Sequence, residues 1–168
     1  MFRQMRRHKQ ALTHEESIAV LQRNTSGVLA VSGDEGYPYA VPLSYVYREG
    51  KIYFHCAQSG HKLDAIMRNP KVSFCVIDQD QVVPEAYTTY FRSVIAFGSA
   101  RVLTDDAEKR QALEWLAARY SPDHEQGRLA EIEKLFAQVC MVEITVLHMT
   151  GKEAIELTRD QRAQADAD

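Results

Sequence analysis

Residues 39–77 most limit what this chain can become. They hold a period-two alternation, a turn, a second short alternation, a helical repeat and a third alternation. Tyr39, Val41, Leu43, Tyr45 and Tyr47 put large side chains on one face of a strand over residues 39–47. Arg48-Glu49-Gly50-Lys51 reads as a turn, and residues 52–56 as a second strand. Leu63, Ile66 and Met67 then share a helical face, and Asn69-Pro70 ends that helix, because the residue before proline is pushed out of the α region. Val72, Phe74 and Val76 give the next strand. A hairpin therefore feeds a short helix that opens on Ser59-Gly60-His61-Lys62. Free N–H groups, the helix dipole and a lysine suit a phosphate there. The same residues also describe a capped surface helix with exposed basic groups.

The chain has 168 residues, enough for one domain with a real core. Its 45% hydrophobic and 26% charged content is ordinary for a globular protein. A net charge of −3 gives no pull toward nucleic acid or anionic membranes, and neither is expected as a partner. No apolar run approaches the ~20 residues of a spanning helix. The basic start, residues 1–7, lacks the apolar core of a secretory signal, so a cytoplasmic location is expected. Cys56, Cys75 and Cys140 lie in apolar strand patterns with no CxxC spacing, and read as reduced, buried small hydrophobes. His14, His124 and His148 show no mutual metal-ligand spacing, and no metal is expected.

Residues 1–12 read as an arm, 13–157 as the domain and 158–168 as a polar, disordered tail. Thr13-His14-Glu15-Glu16 is a capping box opening a helix to about residue 24. Residues 28–31 form a strand, paired through the turn at 33–36 with the strand at 39–47. Pro38 fits a strand start, whereas Pro42 implies a bulge, a ligand-bordering backbone, or both. Residues 78–86 read as a loop. Residues 88–103 form one long, bent strand in which Gly98 marks a bulge or close packing. Helices follow over 104–120 and 127–137, then a last strand over 139–147. The helix face bearing Glu131, Glu133 and Lys134 looks solvated. The count is about six strands and four helices, mainly β with α. Sequential strands with short turns imply an antiparallel sheet that closes into a small barrel, with the helices outside.

Three segments carry a resemblance: VP-x-S-Y at 41–45, FH-x-A-x-x-G-x-K-x-D at 54–64 and NP-x-V-x-F at 69–74, together with YFRSVIAFGSARVL at 90–103. Over residues 13–150 the chain resembles the pyridoxamine 5′-phosphate oxidase-like superfamily, most of all its nitroimidazole-resistance (NimA-like) flavoproteins. The resemblance implies a six-stranded, antiparallel FMN-binding split β-barrel and a homodimer with FMN at the subunit interface. By the same resemblance, Val41, Pro42, Leu43 and Ser44 border the flavin, as do His55, Cys56 and Ala57. Ser59, Gly60, His61 and Lys62 take its phosphate. The arginine- and lysine-rich phosphate strand and the C-terminal substrate segment of pyridoxamine phosphate oxidase proper are absent, which argues against vitamin B6 oxidation.

His55, at a strand end, is either a satisfied structural residue or the group that orients or protonates a substrate, since imidazole can carry a proton near neutral pH. Arg92, with Tyr90 beside it, either binds phosphate or a substrate carboxylate or makes a salt bridge. The function implied is an FMN-dependent oxidoreductase. It would reduce a small organic acceptor, nitroaromatics included, at the expense of a reduced nicotinamide. The alternative is a non-catalytic flavin or haem carrier, or a sensor, on the same barrel.

Overall fold

The structure is a computed structural model and describes residues 2–158. Its elements are α1 (His14–Arg23), β1 (Ser26–Ser32), β2 (Pro38–Ser44), β3 (Val46–Arg48), β4 (Lys51–Ala57) and α2 (His61–Arg68). Then come β5 (Lys71–Val83), β6 (Thr88–Val102), α3 (Asp106–Tyr120), α4 (Glu125–Leu135) and β7 (Val139–Glu153). Past Thr158, the tail expected from residue 158 onward lies outside the described residues.

The strands form one antiparallel sheet in the order β2-β1-β5-β6-β7-β4-β3. It has seven strands rather than six, because the strand expected over 39–47 is two. Tyr45 separates them. Its N–H donates to the Thr25 carbonyl at 3.2 Å and the Tyr120 hydroxyl at 3.1 Å, and so is lost to any ladder. The Tyr45 ring is fully buried, with its hydroxyl donating to the Leu21 carbonyl at 2.8 Å. This one residue also dictates the shape of the sheet. β2 and β3 are its two edges, yet only Tyr45 joins them. Flat, the sheet would hold them roughly 29 Å apart, at about 4.8 Å per strand step. It must therefore curl until its edges meet. No ladder bridges that seam, so the barrel is not closed.

Inside the curl lie Leu29, Ile52, Phe54, Phe74, Val76, Val94, Val142 and Ile144, all essentially inaccessible to water. A second cluster outside the sheet packs Val46, Tyr53 and Met141 under Leu113, Leu116 and Ile132 of α3 and α4. Local signals account for the helix starts. The Thr13 hydroxyl accepts from the Glu16 N–H at 3.1 Å while the Glu16 carboxylate accepts from the Thr13 N–H at 2.6 Å. Asp105 caps α3 through the Glu108 N–H at 2.9 Å.

Three further expectations change. Residues 78–83, read as a loop, continue β5 after a register shift between Ile77 and Gln79. That part of the strand is half-buried or exposed, so it lacks the apolar alternation that marks strands in sequence. β7 runs six residues past 147, where only Met149 is a large apolar residue, so the extension shows no apolar alternation in sequence. Pro42 needs no bulge: β2 is an edge strand and its register with β1 is unbroken, Pro42 facing Val28. Gly98, by contrast, does sit at a bulge, where the β6–β7 register shifts between Phe97 and Gly98. The arm lies on the sheet, with Phe2 stacked on His148 at 4.6 Å and Leu12 donating its N–H to Gly151 at 3.0 Å.

Candidate functional site

The seam where the two edges meet gathers most of the residues singled out in the sequence, and strand alternation sorts them into two sets. Val41 and Leu43 point inward and pack on the core, and Cys56 is buried there. Pro42, Ser44, His55 and Ala57 are exposed on the outer face. Ser44 ends β2 and His55 lies near the end of β4. Both line a cavity of about 430 Å³ between the sheet and the α3–α4 pair.

The turn after β4 leads to Gly60, whose φ of 133° is closed to most L-residues. Nothing lies within 4 Å of where a Cβ would stand, so the approach to the helix end is open. The Leu63 and Asp64 N–H groups donate to the Gly60 carbonyl at 2.9 and 3.2 Å, whereas those of His61 and Lys62 have no acceptor within the helix. Lys62 is half-buried and forms no ion pair among the described residues. Its charge reaches the Cys56 thiol, which burial nonetheless pushes up to about 11, with Cys140 across the ladder adding to the rise. His61 is already committed. Its ring packs on Tyr39 with centroids 4.1 Å apart, and Nε2 lies 3.4 Å from the Asp34 carboxylate. Two free N–H groups, a free ammonium and an unobstructed glycine suit a phosphate, with Lys62 and not His61 as its side-chain partner.

Tyr90 and Arg92 are not brought to this site within one chain. Arg92 pairs with Glu153 at 2.9 Å and Asp78 at 3.3 Å, which is the salt-bridge alternative for it. Asp78 also accepts from Arg23 at 2.6 Å and Asn24 at 2.8 Å. Burial would raise the Asp78 carboxyl, but these donors hold it below its ordinary value. Arg92 faces Glu153 at one end of β7, while His55 faces Met141 near the other. Twelve residues of strand separate them, about 40 Å of extended chain.

The cavity walls were missed in the sequence. Leu113, Leu116, Ala117, Ile132 and Leu135 supply its apolar lining, and Tyr120, His124, Arg128 and Glu131 its polar rim. In sequence these are the packing and solvent faces of two ordinary helices. Only the first turn of the α3–α4 link, Ser121-Pro122-Asp123, hints that the helices fold back on one another.

Comparison with known proteins identifies the family and the fold. The family described as pyridoxamine 5′-phosphate oxidase matches residues 13–153, and the chain belongs to that family. No curated protein sequence matches it. Among solved structures, it is similar to a candidate 5-nitroimidazole antibiotic resistance protein of Bacteroides thetaiotaomicron, at TM-score 0.70 and 21% identity, over 85% of this chain and 86% of that one. An FAD-binding protein of Mesorhizobium loti aligns at TM-score 0.61 and 26% identity, over 86% and 97%. An FAD and haem binding protein of Mycobacterium smegmatis aligns at TM-score 0.73 and 22% identity, over 88% and 74%. Among the described residues, no helix is long and apolar enough to cross a membrane, and no three His, Cys, Asp or Glu side chains cluster as metal ligands.

Proposed function

We propose that this chain is a flavoprotein on a split β-barrel, with FMN held along the seam, and that it reduces a small organic acceptor, nitroaromatics included, using a reduced nicotinamide. The observation that carries the reading is the juxtaposition at the end of β4. Ser44 and His55 both line an apolar cavity, and His55 stands six residues before the open, cationic start of α2. Lys62 and the His61 and Lys62 N–H groups hold the phosphate. Pro42, Ser44, His55 and Ala57 border the ring from the outer face, with Val41 and Leu43 stiffening β2 behind it. Bound flavin supplies the electron transfer. His55 orients the acceptor and can deliver a proton to it, and the cavity walls keep water from it.

The outer face of β5 and β6, which the arm covers only in part through Phe2 on Phe97, supports a homodimer. Ile77, Ile95 and Phe97 are exposed there, with Leu147 beside them on β7. A second copy would cover them. A carrier that binds flavin or haem without turnover is the second reading. It is supported by the Mycobacterium smegmatis neighbour and by two histidines, His55 and His124, on one cavity.

An absorption spectrum of the purified protein separates the cofactors. Bands near ~370 and ~450 nm identify flavin and a dominant Soret band identifies haem. Titration of FMN beside FAD then decides which nucleotide the seam prefers. Oxidation of a reduced nicotinamide that depends on an added nitroaromatic supports the enzyme, and flavin without turnover supports the carrier. Sedimentation showing a flavin-retaining monomer would remove the composite site.

A further inference from the structure

Arg128 stands half-buried on the wall of the α3–α4 cavity with most of its charge uncommitted. Its Nη1 donates to the Ser121 carbonyl at 2.5 Å and the Pro122 carbonyl at 2.6 Å, which ties the start of α4 to the turn after α3. Both acceptors are neutral. Nε and Nη2 donate to no group among the described residues, and Arg128 forms no ion pair among them. Glu131, one turn further along α4 and also on the cavity, pairs instead with Lys134 at 3.6 Å. Those two side chains are mostly exposed, so water screens them. The guanidinium is therefore fixed through Nη1, and its Nε–Nη2 edge remains, two parallel donors spaced for the two oxygens of a carboxylate. Leu113, Leu116, Ile132 and Leu135 line the same space, which at about 430 Å³ lies in the range of small-molecule sites. A cation beside such a wall is costly to keep without a counter-charge.

We infer that the α3–α4 cavity binds an aromatic monocarboxylate, its carboxylate paired at two points with the Nε–Nη2 edge of Arg128 and its ring against the leucines of α3 and α4. The Tyr120 hydroxyl is already committed to the main chain of Tyr45 and Thr25, so Arg128 is the strongest donor left on the wall. Ser44, His55 and His124 remain for a second polar group on the ring. Only the ligand's role as electron acceptor rests on the function proposed above; its binding does not. The two cations then divide the work. Lys62 addresses a phosphate at the open start of α2, and Arg128 addresses a carboxylate between aliphatic walls.

The test is calorimetric titration of the full-length protein as purified with 2-naphthoate and 2-naphthol, which share a ring system and differ in charge. 2-Naphthoate is expected to bind the parent about tenfold more tightly, or better. Arg128→Met removes the cation and should erase that preference, weakening 2-naphthoate and leaving 2-naphthol unchanged. If that variant does not fold, Arg128→Lys serves. Its ammonium can keep the tie to the turn and the charge but not the fork, so 2-naphthoate should still weaken several-fold. Lys62→Ala should leave 2-naphthoate binding intact. Equal binding of the two ligands by the parent, or none, overturns the inference. So does 2-naphthoate binding that follows Lys62 rather than Arg128, and so does an equal loss of both ligands in a folded Arg128 variant, which would make Arg128 a tie alone. Flavin lost from a folded Arg128 variant would give that cation to the flavin, overturning this inference while the flavoprotein reading stands. 2-Naphthoate binding that needs Arg128, in a protein that takes up no flavin, upholds the inference while the flavoprotein reading fails.

Discussion

Tyr120 places its hydroxyl on the main chain of Tyr45. The oxygen accepts the Tyr45 N–H at 3.1 Å and also donates to the Thr25 carbonyl. The last residue of α3 is thereby fastened to the one residue that joins the two edges of the sheet. The same tyrosine lines the cavity, so the seam and the α3 wall are held in a single relationship.

Tyr120→Phe keeps the ring and removes both bonds. The Tyr45 N–H retains Thr25, so the expected loss is that of an ordinary hydrogen bond, about 1 kcal/mol. Urea unfolding of the variant beside the parent measures it. An unchanged midpoint would mean that the contact does not hold the seam.

At Gly98, a Cβ would stand 2.4 Å from the Thr145 carbonyl oxygen and 2.7 Å from Ile144 Cγ2. The obstruction is backbone in the neighbouring strand, which cannot rotate away. Gly98→Ala should therefore destabilise by about 1–3 kcal/mol, the usual cost of overpacking. Thermal unfolding reads the loss, and an equally stable variant would show that the bulge yields freely.

Replacing Lys62 with alanine should weaken FMN by about 10- to 100-fold, the loss of a charge-assisted hydrogen bond of roughly 1.5–3 kcal/mol. Riboflavin, which lacks the phosphate, should be little affected. Fluorescence-quench titrations with both ligands provide the comparison, and equal loss for both would move the phosphate elsewhere.

The His55 side chain is exposed on the cavity and forms no hydrogen bond among the described residues, so His55→Ala should fold and keep its flavin. Acceptor reduction should fall by about 10²-fold, the low end for lost acid–base help. His55→Asn should recover part of that if hydrogen bonding dominates. Flavin content measured beside turnover, from pH 5 to 8, decides the matter; joint loss of flavin and fold would make His55 structural.

Glu143 sits in the outer cluster, buried at 3% exposure, with Arg101 and Lys51 on its carboxylate at 3.0 Å each. Burial alone would raise it, but these hydrogen bonds hold it below the usual 4.5. A depressed folded value stabilises the protein above the unfolded value and is lost as pH falls through the folded one. Stability should thus decline below about pH 4.5, with Asp78 adding to the fall below 3.8. The stability gap between the parent and Glu143→Gln should close as pH drops through that range. Urea midpoints at stepped pH follow it, and a gap independent of pH would exclude Glu143 as a source of acid lability.

Much of this protein could be read from its residues in order, because the signals involved are local. The Thr13–Glu16 capping box, the Arg48–Lys51 turn, the stop at Asn69-Pro70 and the bulge at Gly98 each depend on neighbours a few positions away. The motifs at 41–45, 54–64 and 69–74 carried the family. Other features depended on partners distant in sequence. Tyr45 looks like one more member of an alternating strand until Thr25 and Tyr120 take its N–H and split that strand in two. Residues 78–83 are polar and become a strand because β6 offers a ladder and Arg23 and Arg92 hold Asp78. His61 and Lys62 look equivalent in sequence; Tyr39 and Asp34 claim one and leave the other free. Arg92 looks available until Glu153 closes on it. The cavity was invisible because its walls come from two helices whose inward faces read as plain packing. Periodicity tells which side chains share a face, but only the curl of the sheet, which brings its edges together at one residue, decides what that face meets.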